Sequence, residues 1–272
     1  MKRGRQPQGF TIVEVLIFLA VSGALLVSAL YFISGTQGKT QFTQAANDVL
    51  QQVNAVVNNV ANGYYTGSDD VTCTVSGGNP VASDGGSKAR GTNKDCVFLG
   101  RVLDFNSPDS FTIRDVVGLR TDSSGGEVTT ISGASPTLIT RTAGTEQVVS
   151  YRNGLRFRVS PAGASLKDID GHNLTAVGFF STLGKRSTVA GHTDQLETSA
   201  QQTDFLGMNG NVASVLGGLT QASYDANSNK AIKLCLDSSS ADGQRAIITI
   251  GSENGRSGAS TSMVIDTGEC NL

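Results

Sequence analysis

The feature that most constrains the fold is a long apolar segment near the N-terminus. It runs from Phe10 to Ile33, and Glu14 is its only acidic or basic residue apart from the phenol of Tyr31. The segment is longer than the roughly 20 apolar residues that a helix needs to cross a bilayer. The sequence therefore predicts a membrane-spanning helix over residues 10–33.

Basic residues flank this apolar segment on one side only. Lys2, Arg3 and Arg5 precede it, whereas the first basic residue after it is Lys39. Because basic residues favour the cytoplasmic side of a membrane, the asymmetry predicts a cytoplasmic N-terminus and an exported remainder. A cleaved secretory signal is the simplest alternative, but its apolar region spans only about 7–15 residues. This segment is longer and carries an acid near its start.

Glu14 lies about one helical turn inside the apolar segment. A carboxylate at the bilayer centre costs on the order of 3 kcal/mol, and less near the interface. A passive single-pass anchor gains nothing from that cost. The acid therefore indicates a functional role, and the first turn of a helix favours it because the macrodipole is positive there.

The order of residues around Glu14 is typical of one protein family. A basic leader is followed by Gly9, Phe10 and Thr11, then by Glu14 and an uninterrupted apolar run. This arrangement resembles the class III signal of type IV prepilins and type II secretion pseudopilins. The resemblance extends from Gly9 to about residue 33.

The resemblance implies one maturation step and one assembly step. In the family, a prepilin peptidase cuts after the residue that matches Gly9 and methylates the new amino terminus, here Phe10. The acid that matches Glu14 neutralises the terminal amine of a neighbouring subunit during assembly. Electrostatics agrees, because opposite charges in a filament core of low dielectric constant attract strongly and each would be costly alone.

The resemblance also implies partners and a location. The partners are other pilin subunits, the prepilin peptidase, an inner-membrane assembly platform and the membrane itself. The chain would be a single-pass membrane protein before assembly, with its N-terminus in the cytoplasm and its head outside. It would then become part of a filament on the cell surface.

An amphipathic pattern continues the helix beyond the apolar segment. Apolar residues recur there at spacings of three and four, which is one face of a helix: Phe42, Ala46, Val49, Val53, Val56 and Val60. No proline interrupts residues 10–65, so one helix of about 50 residues is expected. Gly35 and Gly38 are its weak points, each costing up to about 1 kcal/mol relative to alanine. We expect the apolar stripe to be covered by a sheet, as in a pilin fold.

After Asn62-Gly63 the apolar pattern changes to a period of two and to short runs. Strands are predicted at 71–75, 97–105, 111–119, 128–131, 147–152, 155–159, 174–180, 232–236, 245–250 and 262–265. Asn153-Gly154 signals a two-residue hairpin turn. Residues 76–91 and 122–126 are predicted to be loops, and 203–219 to hold a short helix.

These patterns predict an α+β fold in which a long N-terminal helix packs on an antiparallel β-sheet head. The resemblance makes this arrangement pilin-like. The predicted segments are a leader at 1–9, a transmembrane and filament-core helix at 10–33, an amphipathic helix at 34–62 and an extracytoplasmic β-rich head at 63–272.

Four cysteines, an even number in an exported chain, suggest two disulfides. Four cysteines allow three connectivities, and we favour the nearest-neighbour one, Cys73 with Cys96 and Cys235 with Cys270. Buried free thiols are the alternative and would require a reducing compartment. A Cys235–Cys270 bond would resemble the disulfide-bounded C-terminal region of many pilins.

No catalytic, metal or cofactor motif is recognisable. His172 and His192 lie in turn-like polar segments, where a solvated loop histidine is the simpler interpretation. Asp168, Asp170 and Asp237 offer oxygen ligands, but the spacing of a calcium loop is missing and surface carboxylates explain them equally well. The sequence therefore favours a protein that is not an enzyme and has no cofactor or metal.

Nucleic acid is a weakly supported partner. The net charge is −2, so the strongly basic footprint of a nucleic-acid-binding domain is missing. The basic residues that could contact phosphates are Arg152, Arg156, Arg158, Lys185 and Arg186. A charged solvent face is the simpler interpretation of this group.

The leading hypothesis is a structural filament subunit of a type IV pilus. A minor subunit is favoured over the main one, because main subunits of the family are usually shorter. One alternative is a tip receptor or adhesin pilin that binds DNA or another surface ligand. Another is a pseudopilin of a type II secretion system. A membrane-tethered enzyme would need a clustered acid–base or nucleophile pair, which the sequence does not offer.

Overall fold

The computed structural model describes residues 11–63, 71–84, 96–122, 124–141, 146–152, 155–157, 166–181, 203–238, 243–252 and 259–266. The helices are α1 (Ile12–Ala61), α2 (Val212–Gly217) and α3 (Gln221–Asn227). The strands are β1 (Val71–Ser76), β2 (Asn79–Asp84), β3 (Cys96–Asp104), β4 (Ser110–Leu119), β5 (Thr137–Leu138), β6 (Gln147–Ser150), β7 (Leu155–Phe157), β8 (Leu166–Asp168), β9 (Ala176–Ser181), β10 (Thr203–Met208), β11 (Ile232–Ser238), β12 (Arg245–Ile250) and β13 (Thr261–Asp266).

Helix α1 is a single helix of 50 residues, which confirms the predicted length. It begins at a threonine cap: the Thr11 hydroxyl accepts a hydrogen bond of 3.3 Å from the Glu14 backbone N–H. It continues through Gly35 and Gly38 and ends before Gly63, whose φ of 62° lies in the left-handed region that favours glycine. The two glycines predicted to be weak points therefore do not interrupt it.

The two halves of α1 have different surroundings. In the first half, residues 11–31 are all exposed, and the stretch Ile12–Tyr31 has a mean hydropathy of 2.4. Among the described residues this is the one helix long and apolar enough to cross a membrane. In the second half, every residue of the predicted apolar stripe is buried against the head: Phe42, Ala46, Val49, Val53, Val56 and Val60.

The described strands of the head form three sheets, and all pairings between these strands are antiparallel. Strands β1 and β2 form a hairpin. A six-stranded sheet has the order β10-β9-β3-β4-β5, with β6 also pairing with β4. A five-stranded sheet has the order β13-β12-β11-β7, with β8 also pairing with β11. The predicted α+β class is confirmed, but the head is divided among several sheets rather than built on one.

The burial patterns of the strands explain why the head contains more than one sheet. Strand β12 alternates between buried and half-buried residues, which is typical of a sheet with one wet face. The first five residues of strand β9 are all buried, so other elements must pack on both faces of the six-stranded sheet. Helix α1 and the five-stranded sheet cover one face, where Val53, Phe179 and Ile248 belong to one core. Helices α2 and α3 cover the other.

The second core lies on the face of the six-stranded sheet that α2 and α3 cover. Val102 of β3 and Val116 of β4 contribute to it, together with Leu216 of α2 and Tyr224 of α3. The ring of Tyr224 packs edge-on against Phe180, with ring centroids 6.0 Å apart. The two short helices are thus fixed to the sheet by apolar contacts.

Strand β2 corrects the prediction that residues 76–91 form a loop. Gly77 and Gly78 have φ values of 59° and 81°, the combination that a two-residue hairpin turn requires. The pair therefore reverses the chain and lets β2 form beside β1. The predicted Asn153-Gly154 turn lies outside the described residues.

One further segment differs from its prediction, and another contains a strand that was not predicted. Residues 128–131 are not a strand: Thr121 and Glu127 form an isolated bridge, and a turn follows at 131–134. The segment 203–219 holds the predicted short helix, α2, but it begins with strand β10, which was not predicted. The apolar residues of β10 are all buried between β9 and the α3 region, so tertiary burial sets its conformation.

A disulfide attaches the β1–β2 hairpin to the six-stranded sheet. Cys73 of β1 is bonded to Cys96 at the start of β3, with 6.2 Å between the Cα atoms. This is one of the two predicted pairings. Cys235 is also disulfide-bonded, and Cys270, its predicted partner, lies outside the described residues.

Candidate functional site

The first candidate site is the exposed half of α1. Glu14 is the acidic residue of its first turn, and its side chain is exposed like those of the apolar residues around it. The apolar surface extends around the whole helix, with Ile12, Phe18 and Leu25 exposed by 81%, 71% and 65%. Gly9 and Phe10, the predicted cleavage and methylation residues, lie outside the described residues.

This half of α1 is an unusual surface for a folded chain. Contiguous apolar patches larger than a few hundred Å² mark protein or membrane contacts. The head covers none of the span from Ile12 to Tyr31. The surface therefore needs a lipid or protein environment, and Glu14 is its only charge.

The three carboxylates that were considered as oxygen ligands, Asp168, Asp170 and Asp237, are only partly brought together. Asp168, Asp170 and His172 place their ligand atoms within 4.8 Å of one another in the turn after β8. Asp237 lies in β11 and pairs instead with Arg245 at 2.8 Å. The described part of the chain thus offers a cluster of two carboxylates and one imidazole.

The side chains of this cluster already form hydrogen bonds within the protein. Asp168 accepts bonds from the backbone N–H of His172 at 2.8 Å and pairs with its Nδ1 at 2.9 Å. Asp170 accepts a bond of 2.8 Å from the ammonium of Lys230, which holds the pKa of Asp170 below its usual value. The His172 side chain is largely exposed, as predicted for a solvated loop. His192 lies outside the described residues.

The basic residues considered for nucleic acid do not form a described patch. Arg156 is exposed on β7 and pairs with Asp109 at 3.1 Å, which offsets its charge. Arg152 is exposed after β6. Arg158, Lys185 and Arg186 lie outside the described residues.

Sequence reasoning missed a buried ionic cluster between β3 and β4. Arg101 and Asp115 are directly opposite in the strand register and both almost fully buried; the Arg101 Nε donates to Asp115 at 2.8 Å. The guanidinium of Arg141 also donates to Asp115. The signal available in the sequence was the pair of opposite charges inside two apolar strands.

A second charged pair lies nearby on these strands. Asp104, the last residue of β3, is 4% exposed, and its Oδ2 lies 3.4 Å from Nη2 of Arg114 in β4. Burial raises the pKa of the Asp104 carboxyl, while Arg114 and Asn106 act in the opposite direction. This pair borders a pocket of about 280 Å³ beside the start of α2.

Comparison with known protein families, characterised proteins and solved structures finds no match to this chain.

Proposed function

We propose that the chain is a structural subunit of a type IV pilus-like filament, a minor one, assembled through the exposed half of α1. The observation that carries the proposal is the division of this single helix. The apolar stripe of its second half is buried on a folded head, while its first half exposes an apolar surface whose only charge is Glu14. A pilin-like subunit needs this division, because its head folds alone and its helix packs on other helices.

The apolar half can occupy two environments in succession. As a single helix of apolar residues, with its backbone hydrogen bonds satisfied internally, it suits a bilayer. The same surface suits a bundle of parallel helices from neighbouring subunits, because burial of apolar area is favourable by roughly 25 cal/mol per Å² in either setting. The same residues would contact lipid in the membrane-bound prepilin and neighbouring helices in the filament.

Apolar packing alone does not fix how far one helix is shifted along its neighbour. Glu14 can supply this constraint. Cleavage between Gly9 and Phe10 would create an amine about one helical turn from this carboxylate. In the filament, Glu14 of an incoming subunit would pair with the Phe10 amine of its neighbour and set the axial register. The pairing is favourable because each charge alone in an apolar core would be costly.

The head fits an exported location. Disulfides persist in oxidising compartments outside the cytoplasm, and the head carries the Cys73–Cys96 bond. Together with the basic residues before α1, this supports a cytoplasmic N-terminus and an external head before assembly. The size of the head favours a minor subunit, and nothing in the proposal requires catalysis.

The test is the incorporation of a Glu14→Ala variant into filaments. Tagged wild-type and variant copies are expressed together in the native host, and sheared surface filaments are quantified for each tag. The variant should insert in the membrane and be cleaved, since the peptidase acts beside Gly9. Its share of the filament fraction should fall at least about tenfold, equivalent to about 1.4 kcal/mol of lost pairing.

Glu127→Ala is the matched control, because Glu127 is an exposed glutamate on the head, far along the chain from α1. It should incorporate like the wild type. Incorporation of Glu14→Ala at the wild-type level would contradict the pairing role. Failure of Glu14→Ala to be cleaved would mean that the acid serves maturation instead.

A further inference from the structure

The second half of α1 has an exposed polar face that carries almost no charge. Between residues 40 and 63 of the sequence, Asp48 is the only charged residue. A surface helix of a globular protein normally carries charged side chains on the face opposite its core. Here glutamine and asparagine take their place. The face therefore differs from an ordinary solvated helix face in the kind of polar group that it presents.

The exposed residues of this face form a line along the helix. They follow one another at spacings of three and four, which is the spacing of a seam that faces a second helix. We call this line the amide stripe: Gln41, Gln44, Asp48, Gln51, Ala55 and Asn58. With 3.6 residues per turn it lies nearly opposite the buried stripe around Val49 and Val53, so a second helix can approach it without meeting the head.

The chemistry of the amide stripe makes it complementary to a copy of itself. An amide side chain carries both hydrogen-bond donors and an acceptor, so two amides that face each other can always pair. A stripe of like charges could not pair in this way, because the charges would repel one another. The stripe also lies on the same helix as the exposed apolar half, so a copy packed on that half can continue along it.

The pairing of Glu14 with the Phe10 amine of a neighbour would set the shift between two copies. The two residues are four positions apart, so parallel helices paired in this way are displaced by about 6 Å. Asp48 of one copy is then level with Gln44 of the other, and the second Asp48 is level with Gln52 of the first. Both glutamines are exposed and can donate to a carboxylate. Without the shift, two Asp48 carboxylates would face each other, which is unfavourable.

We propose that the amide stripe binds α1 of a second copy of this chain, with the two helices parallel and displaced by about one turn. The parallel arrangement and the displacement rest on the proposed function. The stripe adds a second zone of contact, beyond the apolar half of α1, in which hydrogen bonds between amides replace apolar packing. The two heads lie on the outer sides of this pair of helices, because the stripe and the head occupy nearly opposite faces of α1.

The test is photo-cross-linking in whole cells of the native host. Two differently tagged forms of the full chain are expressed together, each with p-benzoylphenylalanine in place of Ala55, an exposed residue of the stripe. Irradiation should give a dimer that contains both tags, and mass spectrometry should place the cross-link within residues 40–63 of the second copy. The same photo-probe in place of Ala222, an exposed alanine on α3, should give at least about tenfold less of this dimer.

Charge substitutions separate the stripe from the rest of α1. Gln44→Glu combined with Gln51→Glu adds two acids beside Asp48, so facing stripes should repel and the yield of the dimer should fall at least about fivefold. Expression of this variant together with a Gln44→Lys, Gln51→Lys copy should restore the dimer, because opposite charges then face each other. Restoration would exclude misfolding as the cause of the loss. Gln147→Glu, the same change at an exposed glutamine on the head, should leave the yield unchanged.

Cross-links from position 55 only to lipid, to the head of a second copy or to a different protein would overturn the inference, as would an undiminished dimer in the glutamate variant. The N-terminal peptide and the filament share of the same cells report on the proposed function separately. Chains that begin at Phe10 and enter filaments without forming the dimer would remove the stripe contact alone. A dimer of chains that retain residues 1–9 would contradict the proposed function and leave the stripe contact standing.

Discussion

At the scale of single residues, β3 and β4 bury three charged side chains, those of Arg101, Asp104 and Asp115. Asp115 is neutralised by two guanidinium groups, those of Arg101 and Arg141. Asp104 has a distant contact with Arg114 and a side-chain hydrogen bond with Asn106, and burial is the largest influence on the pKa of its carboxyl. The Asp115 carboxylate is therefore paired through both oxygens, whereas Oδ1 of Asp104 has no hydrogen-bond partner among the described residues.

The pKa of Asp104 tests whether burial outweighs pairing at this carboxyl. Because burial raises its pKa above the ordinary value of 3.8, its carboxyl carbon should titrate with a midpoint above 3.8 in a ¹³C NMR experiment. The folded state then binds this proton more tightly than the unfolded state does. The contribution of Asp104 to the free energy of unfolding should therefore fall as the pH rises from below 3.8 through the folded midpoint.

Arg114→Met should raise the midpoint further, because Arg114 lowers the pKa of Asp104. Asp122 is the internal reference, since hydrogen bonds from Ser124 and Gly126 hold its pKa below 3.8. An Asp104 midpoint at or below 3.8 would mean that the carboxyl is better solvated or better paired than its surroundings indicate.

These charged residues also show what the sequence could not predict. The sequence predicts strands at 97–105 and 111–119 but does not indicate that both faces of these strands are covered, so it does not predict the burial of Arg101 and Asp115. The second apolar layer, built by α2 and α3, comes from residues far along the chain. Glu14 is the opposite case, because its place in an apolar run is visible in the sequence without any tertiary contact.

At the scale of elements, α1 is the part of the fold that the sequence predicts best. A period of three and four, the absence of proline and a capping threonine are local signals, and the helix follows them from Ile12 to Ala61. Strands β10 and β2 are not predicted from the sequence, for two different reasons. Tertiary burial determines β10, and the Gly77-Gly78 turn that creates β2 was hidden within a glycine- and serine-rich stretch.

The two halves of α1 should respond differently to the same substitution. Val53→Ala removes two methyl groups from a fully buried site and should lower the free energy of unfolding of the head by about 2 kcal/mol. Val27→Ala, at a position exposed by 67%, should change it by less than about 0.5 kcal/mol. Denaturant titration of the detergent-solubilised chain measures both. Equal effects would show that the first half of α1 contributes to the folded head.

At the scale of the whole molecule, the chain joins an apolar helix to a head with two large cores and a small third cluster around the Cys73–Cys96 bond. The head is fixed to α1 by the first core, and the Cys73–Cys96 bond fixes the β1–β2 hairpin to the sheet. The α+β class follows from sequence periodicity. The division into several sheets does not, because it depends on which strands are buried on both faces.

The proposed function requires that this molecule be made as a precursor and matured before assembly. The most direct measurement is mass spectrometry of the N-terminal peptide of the chain recovered from the sheared surface fraction of native cells. We predict a peptide that begins at Phe10, carries one methyl group on its amine and retains Glu14. A peptide that begins at Met1, or at any residue other than Phe10, would contradict the account.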